Sequence, residues 1–160
     1  MSAVFLVSDE LARLAKHRFY HWQEQGFPNL DGGMSDVLIK LNRIPGVTSL
    51  FCCCGHEAQD RFYIMCLVNG EQGAANISKL FAKWRHNLTL IETDDDSLPY
   101  FPELQISYAG SIFAQEGFPE DYPSWTFSSY YNSDEDAVHV RISMLAAIQE
   151  LLGEIRNEIG

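Results

Sequence analysis

Val47-Thr48-Ser49-Leu50-Phe51-Cys52-Cys53-Cys54 and, six residues on, Arg61-Phe62-Tyr63-Ile64-Met65-Cys66-Leu67-Val68 are the two stretches that decide the fold. The first is an almost unbroken run of apolar and small residues. The second is rich in aromatic and branched side chains, and the connection Gly55-His56-Glu57-Ala58-Gln59-Asp60 is polar. Runs of this length and composition read as strands, and consecutive strands usually lie side by side, so an antiparallel pair is expected.

Upstream, Ser8 precedes Asp9-Glu10 and the apolar positions Leu11, Leu14, Ala15, Phe19 and Trp22, the pattern of a capped amphipathic helix that ends before Gly26-Phe27-Pro28. Met34, Val37, Leu38 and Leu41 give a second, short helix, stopped at Ile44-Pro45-Gly46 because the residue before a proline is pushed out of the helical region. Downstream, Ala74 to Arg85 carries Ile77, Leu80, Phe81 and Trp84 on one helical face, with basic residues toward its C-terminal end, where the helix dipole favours them.

Leu88 to Thr93, Leu104 to Tyr108 and Trp125 to Tyr131 read as further strands. Ser133 and Asp136 suggest a cap for a last helix with the stripe Val138, Ile142, Leu145, Ile148, Leu152 and Ile155. The resulting order predicts an α+β fold, a mostly antiparallel sheet of about five strands packed against helices. Without a linker, repeat or low-complexity tract, residues 1–160 read as a single α+β domain long enough to bury a core without staples.

The formal charge is −11, and its placement is more informative than its sum. Between His86 and Val140 there is no lysine or arginine, while Glu92, Asp94, Asp95, Asp96, Glu103, Glu116, Glu120, Asp121, Asp134, Glu135 and Asp136 all fall there. A field of one sign repels a phosphate backbone and attracts a basic surface; the same residues also serve as solvated turns. Direct nucleic-acid binding is therefore not expected. No apolar run is long enough to cross a bilayer, and Asp9 and Glu10 ahead of the first basic residue do not fit a secretory signal, so a cytoplasmic protein without membrane contact is expected.

Cys52, Cys53, Cys54 and Cys66 do not form the spaced framework of a secreted mini-protein, and reduced thiols are expected. Three readings of the segment ending at His56 stay open. Small sulfur side chains can pack a strand interior. A zinc site would need a distant fourth ligand such as Cys66 or His139. A catalytic pair of Cys53 and His56, with a ligand held at the Gly55 backbone, is the third. His17 and His21 lie one helical turn apart and read as a surface pair.

The segment from Ile44-Pro45-Gly46 through Cys53-Cys54-Gly55-His56, followed by Phe62-Tyr63-Ile64-Met65, resembles a pattern in small uncharacterised phage and mobile-element proteins. There a Pro-Gly turn leads into a strand ending in Ser-Cys-x-Gly-His; Cys52 replaces the serine here. More distantly the segment resembles the Ser-x-Ser-Gly-Arg strand end of the wybutosine-synthesis methyltransferase family, which modifies tRNA. His56 occupies the place of that family's arginine, so its S-adenosylmethionine chemistry is not carried over and no cofactor is expected.

The stretch from Phe113 to Tyr131 interleaves aromatic and acidic residues. Glu116, Phe118, Glu120, Asp121, Tyr122 and Trp125 together have the composition of a protein-binding patch, amphipathic anchors ringed by charge. A satellite core beneath a long loop is the competing reading. The expectation is an acidic interaction module that takes a basic host protein, as a phage accessory or anti-defence inhibitor would, with a homodimer as a further expectation. The alternative is an enzyme or small-ligand binder built around Cys53, Gly55 and His56.

Overall fold

The computed structural model describes residues 5–30, 33–54, 61–90, 102–108, 114–119, 121–130 and 134–159. Four helices, α1 (Asp9–Glu24), α2 (Met34–Leu41), α3 (Gly70–Thr89) and α4 (Asp134–Ile159), accompany four strands, β1 (Val47–Cys54), β2 (Arg61–Val68), β3 (Glu103–Tyr108) and β4 (Pro123–Tyr130). The strands form one sheet in the order β1-β2-β4-β3, antiparallel at every junction. The α+β class and the antiparallel β1–β2 pair follow the sequence reading.

The expected strand from Leu88 does not form within the described residues. The spacing Ile77, Leu80, Trp84, Leu88 continues the buried face of α3 through Thr89, so Leu88 is buried in the helix and the sheet has four strands among the described residues. Residues 91–93 lie outside the described residues. The inner face of α4 also differs in phase: Ala137, Val140, Met144, Ala147, Ile148, Leu151 and Ile155 are buried, whereas Val138 and Ile142 are exposed. Alanines at 137 and 147 share this inner face with Val140, Met144 and Leu151. The Ser133 cap lies outside the described residues.

Side-chain alternation sorts β2 between two cores. Phe62, Ile64, Cys66 and Val68 meet α2, α3 and α4, with Trp84 centred 5.9 Å from Phe62 and 6.0 Å from Phe127, ring to ring. Met65 and Leu67 face the other way, where Leu11 and Ala15 of α1, Leu50, Phe118 and Tyr122 make a smaller cluster. The cap of α1 is as expected, with the Leu11 amide donating to Ser8 Oγ at 3.1 Å.

β1 carries a bulge: Ser49 pairs with Cys66 and Phe51 with Met65, leaving Leu50 as the extra residue. Asn42, just past α2, fills the irregularity. Its amide donates to Leu38 O at 2.8 Å and Ser49 Oγ at 2.9 Å, and its carbonyl accepts from Ser49 N at 3.1 Å. No helix among the described residues is long and apolar enough to cross a membrane.

Candidate interaction surface

The register places Tyr63 opposite Ser128, Met65 opposite Thr126, and Glu103, Gln105 and Ser107 opposite Ser128, Thr126 and Ser124. All of these share the face turned away from α2, α3 and α4. Near β1 that face is covered by α1, Phe118 and Tyr122, whereas on β3 Glu103, Gln105 and Ser107 are exposed. At one end of β4, Tyr130 is 57% exposed, and the Arg61 guanidinium lies 5.9 Å from its ring centre and 5.7 Å from that of Tyr63. β3 is an edge strand, and five of its six residues are exposed, including Ile106 and Tyr108.

The acidic-aromatic segment divides. Glu116 is exposed and pairs with Arg18 of α1, Nε to Oε2 at 3.2 Å, while Arg18 also donates to Leu50 O at 2.9 Å. Asp121 is exposed, and Glu120 lies outside the described residues. Phe118 and Tyr122, expected as exposed anchors, are buried with ring centres 5.6 Å apart. They close the smaller core over Leu50 and Leu67 because α1 alone does not cover that face. The Tyr122 hydroxyl is buried without a hydrogen-bond partner among the described residues, and burial raises its pKa. Trp125 is half-buried within β4, its Nε1 donating to Phe5 O at 3.0 Å. Among the described residues Tyr108 and Tyr130 are exposed here instead; what the sequence lacks is the signal that Phe118 and Tyr122 pack against Leu50 and Leu67.

In the cysteine segment, Cys53 pairs with Tyr63 through the β1–β2 ladder, and Gly55 and His56 lie outside the described residues. Cys52 is half-buried against the helix-side core. Cys66 is buried, and that burial raises its pKa well above the ordinary thiol value, so it stays a protonated, inert thiol. Among the described residues no group of three histidine, cysteine or acidic side chains could hold a metal ion. His17 and His21 are exposed on α1, and His139 lies on α4 beside Asn87 and Ile142.

A separate cleft of about 560 Å³ opens between α1 and the start of β1, lined by Asp9, Arg13, Lys16, Gly46, Thr48 and Asn69. At its floor Lys16 Nζ donates to Asn42 O at 2.5 Å and Val47 O at 2.8 Å. Burial lowers its pKa to about 8. The ammonium thus ties α1 to the end of α2 and to the edge of β1. Nothing in the helical spacing of α1 distinguished this lysine from a solvated one.

No protein-family model, curated protein or solved structure matches this chain.

Proposed function

We propose that this chain is a cytoplasmic, acidic protein-interaction module that binds a basic protein through the β4–β3 half of its sheet and the flanking acidic residues. The observation that supports this most is one of placement. β3 and β4 both fall within the stretch from residue 87 to 139 that holds no lysine or arginine, and Glu103, Glu116, Asp121 and Glu135 are exposed around them. Exposed Tyr130 offers an aromatic anchor beside this field. A basic partner gains long-range attraction there, which raises its association rate and makes binding salt-sensitive. The resemblance to phage and mobile-element proteins suggests a nucleic-acid-binding host protein as that partner, with inhibition as the outcome.

The test is capture from a host cytosolic extract on the immobilised full chain. The expected catch is a protein of pI above about 9 that is released as salt rises. It is lost when Glu103, Asp121 and Glu135 are all changed to lysine. Capture indifferent to both salt and charge reversal would overturn the reading.

A further inference from the structure

The two edges of the sheet are treated differently. Along β1, outward carbonyls are taken by α1: Val47 O accepts from Lys16 and Leu50 O from Arg18, and the bulge at Leu50 breaks the regular ladder. β3 has none of these devices. Its register with β4 runs without a break from Glu103 to Tyr108, it contains no proline or lysine, and among the described residues its hydrogen bonds run only to β4 and, from Gln105 to Glu103, within the strand itself. A regular, uncovered edge is a template for another strand, and natural proteins ordinarily blunt it.

We infer that the free edge of β3 pairs antiparallel with β3 of a second copy of this chain, about a two-fold axis at Ile106, joining two four-stranded sheets into one. A two-fold axis perpendicular to the sheet keeps each face on its own side, so only residues of the same face oppose one another. With the axis at Ile106, that residue meets its own copy, Leu104 meets Tyr108, and Gln105 meets Ser107. All apolar pairs then share the helix side and all neutral polar pairs the other side. The strand's single charge, Glu103, falls outside the paired residues, and its two copies stand at opposite ends of the interface. Moving the axis to Gln105 would leave Tyr108 without an opposite and bring Glu103 into the ladder. Ile106 at 38% and Tyr108 at 55% exposure supply the apolar area that such pairing removes from water.

This assignment stands apart from the basic-partner reading, and salt separates them. Each copy carries a formal charge of −11, so screening weakens repulsion between copies and self-association tightens as salt is raised. A complex with a basic partner weakens.

The experiment is sedimentation of the full reduced chain at high micromolar concentration across a salt series, with Ile106→Lys and, as a control on a different surface, Ile142→Lys. The expected result is twice the monomer mass for the wild type and Ile142→Lys, increasing with salt, and a monomer for Ile106→Lys. Because a lysine in β3 can also loosen the β4 ladder, register is tested independently by oxidation of Ile106→Cys. A residue on the axis forms a 106–106 intermolecular disulfide, identified by peptide mass, whereas Gln105→Cys and Ser107→Cys do not form their own homodisulfides. A monomeric wild type at every salt concentration overturns the inference. So does a dimer that survives Ile106→Lys and is lost in Ile142→Lys.

Discussion

Gly46 and Gly73 meet backbone to backbone: a Cβ placed on Gly73 would lie 2.6 Å from the Gly46 carbonyl oxygen. The Ile44-Pro45-Gly46 turn therefore docks on the first turns of α3, where Asn69 N donates to Gly46 O at 2.8 Å and Asn76 Nδ2 to Pro45 O at 3.0 Å. Gly73→Ala must push the two segments apart and is expected to cost about 1–3 kcal/mol. Gly153, in α4, has nothing within 4 Å of an added Cβ, and Gly153→Ala should stabilise by about 0.5–1 kcal/mol through the stiffer unfolded chain and better helix propensity. Urea unfolding of both variants checks the pair, and equal effects of the same sign would contradict the packing described.

That contact shows what the sequence could carry. The Pro-Gly stop was legible because proline restricts its neighbour locally, and the strands after it were legible because eight residues of one character need a sheet. The start of α3 at Gly70 was not, because Gly73 is small for a tertiary reason, the approach of Gly46. Phe118 and Tyr122 were misplaced for the same kind of reason. Composition gives an aromatic among acids a choice between anchor and lid, and only the gap left beside α1 decides. The exposed edge of β3 was invisible because strand order is non-local.

Asn42 joins the end of α2 to the bulge in β1 through three side-chain hydrogen bonds to Leu38 and Ser49. Asn42→Ala leaves the buried Ser49 amide and hydroxyl without those partners and is expected to cost about 2–3 kcal/mol. In a double-mutant cycle with Ser49→Ala, the two losses should overlap by about 1 kcal/mol, measured by denaturant midpoints. Strict additivity would mean the bulge closes without this bridge.

Phe118 and Tyr122 distinguish a lid from a binding patch. Phe118→Ala opens a hole in the smaller core and should cost about 3 kcal/mol. Tyr122→Phe removes a buried hydroxyl that has no partner among the described residues, so stability should stay level or rise by up to about 1 kcal/mol. Thermal unfolding reads both; a Phe118→Ala protein as stable as the wild type would return Phe118 to the surface.

Lys16 and Cys66 set opposed pH dependences. Lys16 titrates near 8 in the fold against 10.5 ordinarily, so between those values the unfolded chain holds a proton that the folded chain has released, and stability rises with pH. Below about 8 both states are protonated, and the cost of burying the ammonium is constant. Cys66 has the reverse sign: its buried thiol keeps its proton above 9.0, where the unfolded thiol loses it, so stability falls as pH rises from there. Tyr122, raised by burial, adds to the fall above about 10. The sum is a rise of at most about 1 kcal/mol from pH 8 to 9, a plateau to about 10 while Lys16 and Cys66 cancel, and a decline beyond as Tyr122 adds its share. Urea midpoints taken under reducing conditions from pH 7 to 11 should trace that shape. Lys16→Met should erase the early rise and decline directly from pH 9, whereas Cys66→Val should keep rising through the plateau; identical profiles for all three proteins would show that neither group is perturbed by its surroundings.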